Sequence, residues 1–137
     1  MQPERIVPDT NVILSYAISK RLSELVAIKS KFNIEIFSCD ELLTELKVAI
    51  DYPQIEKYLP KEERVHIVKV FKALAIETKI DLRYDRLSDP KDNYIIDLAY
   101  SVKADYIVTG DREVLIQKHV GKIQIISPTQ FKKLLTH

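Results

Sequence analysis

Two short apolar stretches of this chain end in the same kind of polar group. Ile6-Val7-Pro8 delivers Asp9-Thr10-Asn11 before the chain turns apolar again at Val12-Ile13-Leu14, and Tyr106-Ile107-Val108 delivers Thr109-Gly110-Asp111. In an α/β sheet the carboxyl ends of the strands are where ligands bind, so Asp9 and Asp111 stand where chemistry is done. Asp-Thr-Asn is also ordinary cap and turn chemistry between a strand and a helix, and Asp9 alone does not separate the two readings. Two further acids lie near expected helix starts. Glu45 has Leu42, Val48 and Ala49 at three- and four-residue spacing, which puts its carboxylate on an apolar face where a partner such as a cation is needed. Asp92 follows Asp89-Pro90, an N-cap and first helical residue, and has Ile95, Ile96 and Ala99 at helical spacing beyond it, so it points along the buried face while Asp97 points elsewhere. An acid in a first helical turn also satisfies the helix dipole whatever the protein does.

If Asp9, Glu45, Asp92 and Asp111 meet at one sheet edge, they cannot all be charged without a counter-charge. A hard divalent cation with oxygen ligands, Mg²⁺ or Mn²⁺, answers that repulsion. Such a site can activate water and stabilise charge developing on a phosphodiester, the chemistry of metal-dependent nucleases. Arg86, Lys91 and Arg112 are close in sequence to these acids and could meet substrate phosphates, although a solvated surface is the simpler role for each.

The elements that must position these residues alternate. Residues 5–8 predict a strand, with Pro8 tolerable only at its end because it lacks a ladder donor. Helical spacing covers residues 12–18 and 22–32, and a second strand covers 34–37. Ser38-Cys39-Asp40-Glu41 has the form of a capping box and opens a helix through Leu42, Leu43, Leu46, Ala49 and Ile50. Residues 53–77 are mostly helical, with Val65, Val68, Phe71, Leu74 and Ala75 as the apolar stripe and Lys57, Lys61, Arg64, Lys69 and Lys72 as a solvated face. Residues 76–82 form a short strand or extended connection. A helical connection precedes a strand at 123–126, and Ser127-Pro128-Thr129-Gln130 starts a last helix. This alternation predicts an α/β fold: a three-layer α/β/α sandwich with a mostly parallel central sheet.

At 137 residues the chain suits one domain, 1–137, with one core. A net charge of +1 disfavours a module that holds nucleic acid by a large basic field, so any such contact must be local or metal-assisted. The single cysteine, Cys39, fits a reducing cytoplasm and a small core residue. No signal peptide or membrane span is expected, and His66, His119 and His137 have no zinc-ligand spacing. With only two glycines, Gly110 and Gly121, there is no phosphate-binding glycine loop.

The ordered set of motifs resembles the PIN-domain family, and within it the VapC-like ribonucleases that are toxins of toxin–antitoxin pairs. The resemblance is carried by Val7-Pro8-Asp9-Thr10-Asn11-Val12-Ile13-Leu14, Leu42-Leu43-Thr44-Glu45-Leu46, Asp89-Pro90-Lys91-Asp92-Asn93 with Asp97-Leu98-Ala99, Ala104-Asp105-Tyr106-Ile107-Val108-Thr109-Gly110-Asp111, and Ile126-Ser127-Pro128-Thr129-Gln130-Phe131. It implies a PIN-like α/β/α fold and a Mg²⁺- or Mn²⁺-dependent endoribonuclease, with Asp9, Glu45, Asp92 and Asp111 as metal-binding catalytic acids and Asn11 and Thr109 as supporting polar groups. It further implies an RNA substrate, an antitoxin partner, a homodimer and a cytoplasmic location. Pro8 departs from the simple apolar residue of many relatives. The alternative is a catalytically inactive PIN-like module that binds RNA or protein. An aspartyl-phosphate receiver is disfavoured because only Glu4 precedes Asp9, and a haloacid-type D-x-D because Asn11 fills the second place.

Overall fold

The computed structural model describes residues 2–81 and 93–135. The elements run β1 (Glu4–Pro8), α1 (Thr10–Ile18), α2 (Leu22–Lys31), β2 (Ile34–Ser38), α3 (Asp40–Ile50), α4 (Pro53–Glu56), α5 (Lys61–Leu74), β3 (Ile76–Glu77), α6 (Asn93–Ser101), β4 (Tyr106–Val108), α7 (Arg112–Leu115), β5 (His119–Val120), β6 (Ile123–Ile126) and α8 (Pro128–Leu135). Their strands form one sheet in the order β3-β2-β1-β4-β6-β5, parallel throughout except where β5 meets β6. Helices flank it, the expected α/β/α arrangement. The chain winds outward from β1 through β2 to β3, then returns to the other side of β1 for β4 and β6. The strand order therefore reverses between β1 and β4, and a crevice opens at their carboxyl ends.

Strands covered on both faces must be apolar at consecutive positions. Ile6, Val7 and Pro8 of β1 and Ile107 and Val108 of β4 are all buried, which accounts for both unbroken apolar runs. Pro8 fits for a reason visible in the pairing. Asp9 N–H donates to the Val108 carbonyl at 2.9 Å, and the sides of a strand alternate, so the missing Pro8 donor falls on the β2 side. There the paired register already ends at Ile6 opposite Ile36. The strand loses nothing by the proline.

Four sequence expectations change. Ser38 is the last residue of β2, and the N-cap of α3 is Cys39, without a side-chain cap, so Ser38 to Glu41 is not a capping box. The buried face of α5 is Ile67, Phe71 and Leu74, with Val65 exposed, one step round the helix from the predicted stripe. Arg64 leaves the solvated face: its side chain is 14% exposed and pairs with Asp51 at 3.1 Å and Glu56 at 3.9 Å, tying α5 to the segment after α3. The hairpin of β5 and β6 was not anticipated, because two residues carry no readable period. Elsewhere the reading holds. The α8 capping box closes with Ser127 N–H donating to Gln130 Oε1 at 2.8 Å and Gln130 N–H to Ser127 Oγ at 3.1 Å.

Two consequences are testable. Gly121 opens the two-residue turn of that hairpin at φ +58°, a left-handed value that costs an L side chain energy, and a Cβ there would lie 2.7 Å from the Tyr100 hydroxyl. Gly121→Ala is expected to destabilise the protein by about 1–2 kcal/mol in urea unfolding. Burial pushes the Cys39 thiol up to about 11. The folded state then holds a proton that the unfolded thiol, with its ordinary value of 9.0, gives up first, so stability from this group is full below pH 9 and is lost as pH rises towards 11. Native protein at pH 8 should resist alkylation by iodoacetamide, and urea-unfolded protein should react at the rate of a free thiol.

Candidate functional site

Asp9 occupies the N-cap position of α1, with φ −71° and ψ 154°, yet its side chain makes no cap hydrogen bond. Its carboxylate turns instead to the end of β4, where Oδ2 accepts the Thr109 hydroxyl at 2.9 Å. The simple capping role is thus absent at this acid. Asp111 does the opposite. It is the N-cap of α7, and its Oδ1 accepts the Glu113 N–H at 3.0 Å.

Thr109 joins the two acids. It is 1% exposed, its N–H reaches the Ile126 carbonyl at 3.0 Å, and its Oγ1 also accepts the Asp111 N–H at 3.1 Å. Three adjacent strands, β1, β4 and β6, are therefore bonded to one another up to the residue that orients Asp9. Asn11 lies on the exposed side of the first turn of α1.

Glu45 is exposed, contrary to the expectation of an enclosed face; Val48 beside it is 52% exposed, and the buried face of α3, with Leu42, Leu46 and Ala49, lies to one flank of it and stops short of the carboxylate. Glu45 nevertheless has a partner that spacing did not reveal. The Tyr94 hydroxyl, from the start of α6, donates to Glu45 Oε2 and lies 3.3 Å from the buried Thr10 hydroxyl. Burial, then the bond to Glu45 and the charges of Glu45 and Asp9, push the Tyr94 phenol upward, partly offset by Thr10. It stays protonated and donates. Sequence reasoning gave Tyr94 no role, and its position two residues after Asp92 was the available signal.

Asp97 is 4% exposed, not directed away from the core. The run Ile95 to Ala99 is buried without interruption in a helix that packs on β1 and β4, so the single-stripe argument does not apply to it. Asp92, with Arg86 and Lys91, lies outside the described residues, and Arg112 is exposed at the start of α7. Among the described residues no three or more His, Cys, Asp or Glu side chains converge closely enough to hold a metal ion. The donors near Asp9 are carboxylates and hydroxyls. That set fits Mg²⁺ or Mn²⁺ in the form in which one or two carboxylates hold the ion and water completes the shell; it does not fit zinc.

Comparison with known proteins bears on the fold and the family. The PIN domain family matches residues 5–113. Among solved structures, a chain of the VapBC2 complex from Rickettsia felis, bound to a DNA fragment from their promoter, superposes with a TM-score of 0.61. It shares 16% identity, and the match covers 90% of this chain and 98% of that one, a likeness of fold. A search of curated proteins finds no match. The match to the family spans every strand from β1 to β4 and the first residues of α7, including the crevice that Asp9 and Thr109 share: the chain belongs to the PIN-domain family.

Proposed function

We propose that residues 1–137 form one PIN domain that acts as a Mg²⁺- or Mn²⁺-dependent endoribonuclease, the toxin of a cytoplasmic toxin–antitoxin pair. The observation that carries this is the Asp9 carboxylate, withheld from its own helix and held by a buried threonine at the switch point of the sheet. Asp9 is the principal metal-binding acid in this reading, with Glu45, Asp92 and Asp111 completing the set and Asn11 a supporting group. A divalent ion at such acids supplies Lewis-acid stabilisation of phosphoryl charge and lowers the pKa of water. The chain's own residues do the positioning. Thr109 fixes one Asp9 oxygen, and Tyr94 fixes one Glu45 oxygen from a helix packed against β1 and β4.

The toxin reading and the antitoxin partner rest on the resemblance to VapC-like proteins and on the fold shared with the VapBC2 chain; a homodimer follows from the same resemblance. The cytoplasmic location is supported by a single buried, protonated thiol, and among the described residues no helix is long and apolar enough to cross a membrane. A second reading, the inactive RNA- or protein-binding module, is favoured by two observations: the Asp111 carboxylate caps a helix, and among the described residues no three His, Cys, Asp or Glu side chains group closely enough to hold a metal ion.

An assay separates the two. Purified protein with a panel of RNAs should cut in Mg²⁺ or Mn²⁺, stop in chelator, and lose roughly 100-fold or more of its rate in Asp9→Asn. Cleavage that survives both chelation and the substitution would sink the mechanism, whereas metal binding without cleavage would establish the inactive module. Tyr94→Phe removes the donor to Glu45 and keeps the ring. Its activity is expected to fall about 10- to 100-fold, with the Mn²⁺ concentration for half-maximal rate raised and the melting temperature nearly unchanged. An unaltered Mn²⁺ dependence would mean that Tyr94 only packs.

A further inference from the structure

A groove of about 630 Å³ runs between α1 and α8. Val12, which lines it, is one turn along α1 from Asp9, and Pro128 and Thr129 follow β6, whose Ile126 carbonyl binds Thr109. We propose that this groove carries the single-stranded RNA flanking the bond to be cut, with Lys132 and Arg21 meeting its phosphates. This deepens the nuclease reading and rests on it.

Charge is the first argument. Neither α1 nor α8 contains a carboxylate, and the residues lining the groove include Arg21 and Lys132 but no acid. Among the described residues the charged groups of that lining are Arg21 and Lys132, in a chain of net charge +1. Arg21 is held by Glu24, while among the described residues Lys132 has no carboxylate partner and is exposed. The lining chemistry is the second argument. The lining combines hydroxyls of Ser15 and Thr129 with Val12, Ile18 and the ring of Tyr16, over one face of which the Arg21 guanidinium lies 5.5 Å from the centroid. Single strands are held by that combination of cations along a backbone track and aromatic faces for bases. Past Tyr16 and Lys132 the groove meets an adjoining hollow of about 300 Å³, whose lining adds Lys31 and one acid, Glu24, the partner of Arg21. By contrast, the groove between α2 and α5 is lined by Leu22, Val26, Leu59 and Ile67, and its Lys20 is already paired with Glu63. That surface also carries Glu63 in its own lining, where the groove between α1 and α8 has no acid.

The test uses Asp9→Asn protein without added divalent metal, so that binding is read apart from cleavage, and a fluorescein-labelled oligouridine of about twelve nucleotides. Lys132→Glu should weaken binding roughly tenfold, and Lys132→Gln should reduce the slope of log affinity against log salt by about 0.7, one phosphate contact on a single strand. Lys132→Arg should keep both values, and Lys69→Gln on α5 should match the parent. No binding by the parent, or parental binding by Lys132→Glu, overturns the proposal. Weaker binding with an unchanged salt slope also overturns it, and points to apolar docking of a protein. The two readings fail separately. Wild-type protein that cuts the oligonucleotide with the same KM as its Lys132→Glu variant keeps the nuclease and loses the groove. Binding that responds as expected, with no cleavage in Mn²⁺, keeps the groove and loses the nuclease.

Discussion

The hydroxyl of Thr109 is the small constraint on which the site depends. Its oxygen must accept from the Asp111 N–H, which can only donate, and this leaves the single hydroxyl hydrogen for Asp9 Oδ2. The polarity of the chain of bonds is thereby fixed. Asp9 Oδ2 is held as an acceptor, and the bond sits on a residue with almost no access to water. A valine at 109 would fill a similar volume yet leave an N–H and a carboxylate oxygen without that partner, each at a cost of about 1–3 kcal/mol.

That bond exists only because the strands are ordered as they are. Parallel pairing brings Pro8 opposite Val108 and Val108 opposite Ile126, so the three carboxyl ends finish level and the residues after them share one crevice. The level ends are held by burial. Val7 and Ile107, neighbours in that register, are fully enclosed, and side chains of this size contribute about 1.5–3 kcal/mol each when removed from water. A slip of one residue would turn those side chains to opposite faces and separate Asp9 from Thr109 at the same time. Core packing and site geometry are one specification.

What could be read in the sequence follows from this. The strands β1, β2, β4 and β6 were legible as apolar runs because burial on both faces demands such runs, and Asp9 and Thr109 were legible because they stop them. Patterns that depend on the next element's position were less so. Ser127 to Gln130 and Ser38 to Glu41 share one motif, but only the first forms a capping box, because β2 extends through Ser38 and the helix starts a residue later. Helical spacing gives angles within a helix and not which sides its neighbours cover. That is why Glu45 was expected inside and lies outside, and why Asp97 was expected outside and lies within a helix enclosed by β1 and β4. The contact between Tyr94 and Glu45 crosses two helices 49 positions apart, a distance at which no local pattern speaks.

The overall charge was the least informative quantity of all. A net charge of +1 argues against a broad basic field, yet it is a sum over the whole surface and does not describe any one region of it. Asp9 and Asp111 follow the ends of β1 and β4, and the two helices that border the neighbouring groove carry no carboxylate. In the proposed reading, a polyanion meets the exposed Lys132 at the groove, apart from those carboxylates. Its attraction is then local, within a Debye length of about 8–10 Å at ordinary salt, and invisible in the total. The same separation has a mechanistic advantage. Cations at the groove can hold flanking phosphates without neutralising the carboxylates themselves, so the acid centre keeps the negative charge on which its affinity for a divalent ion depends.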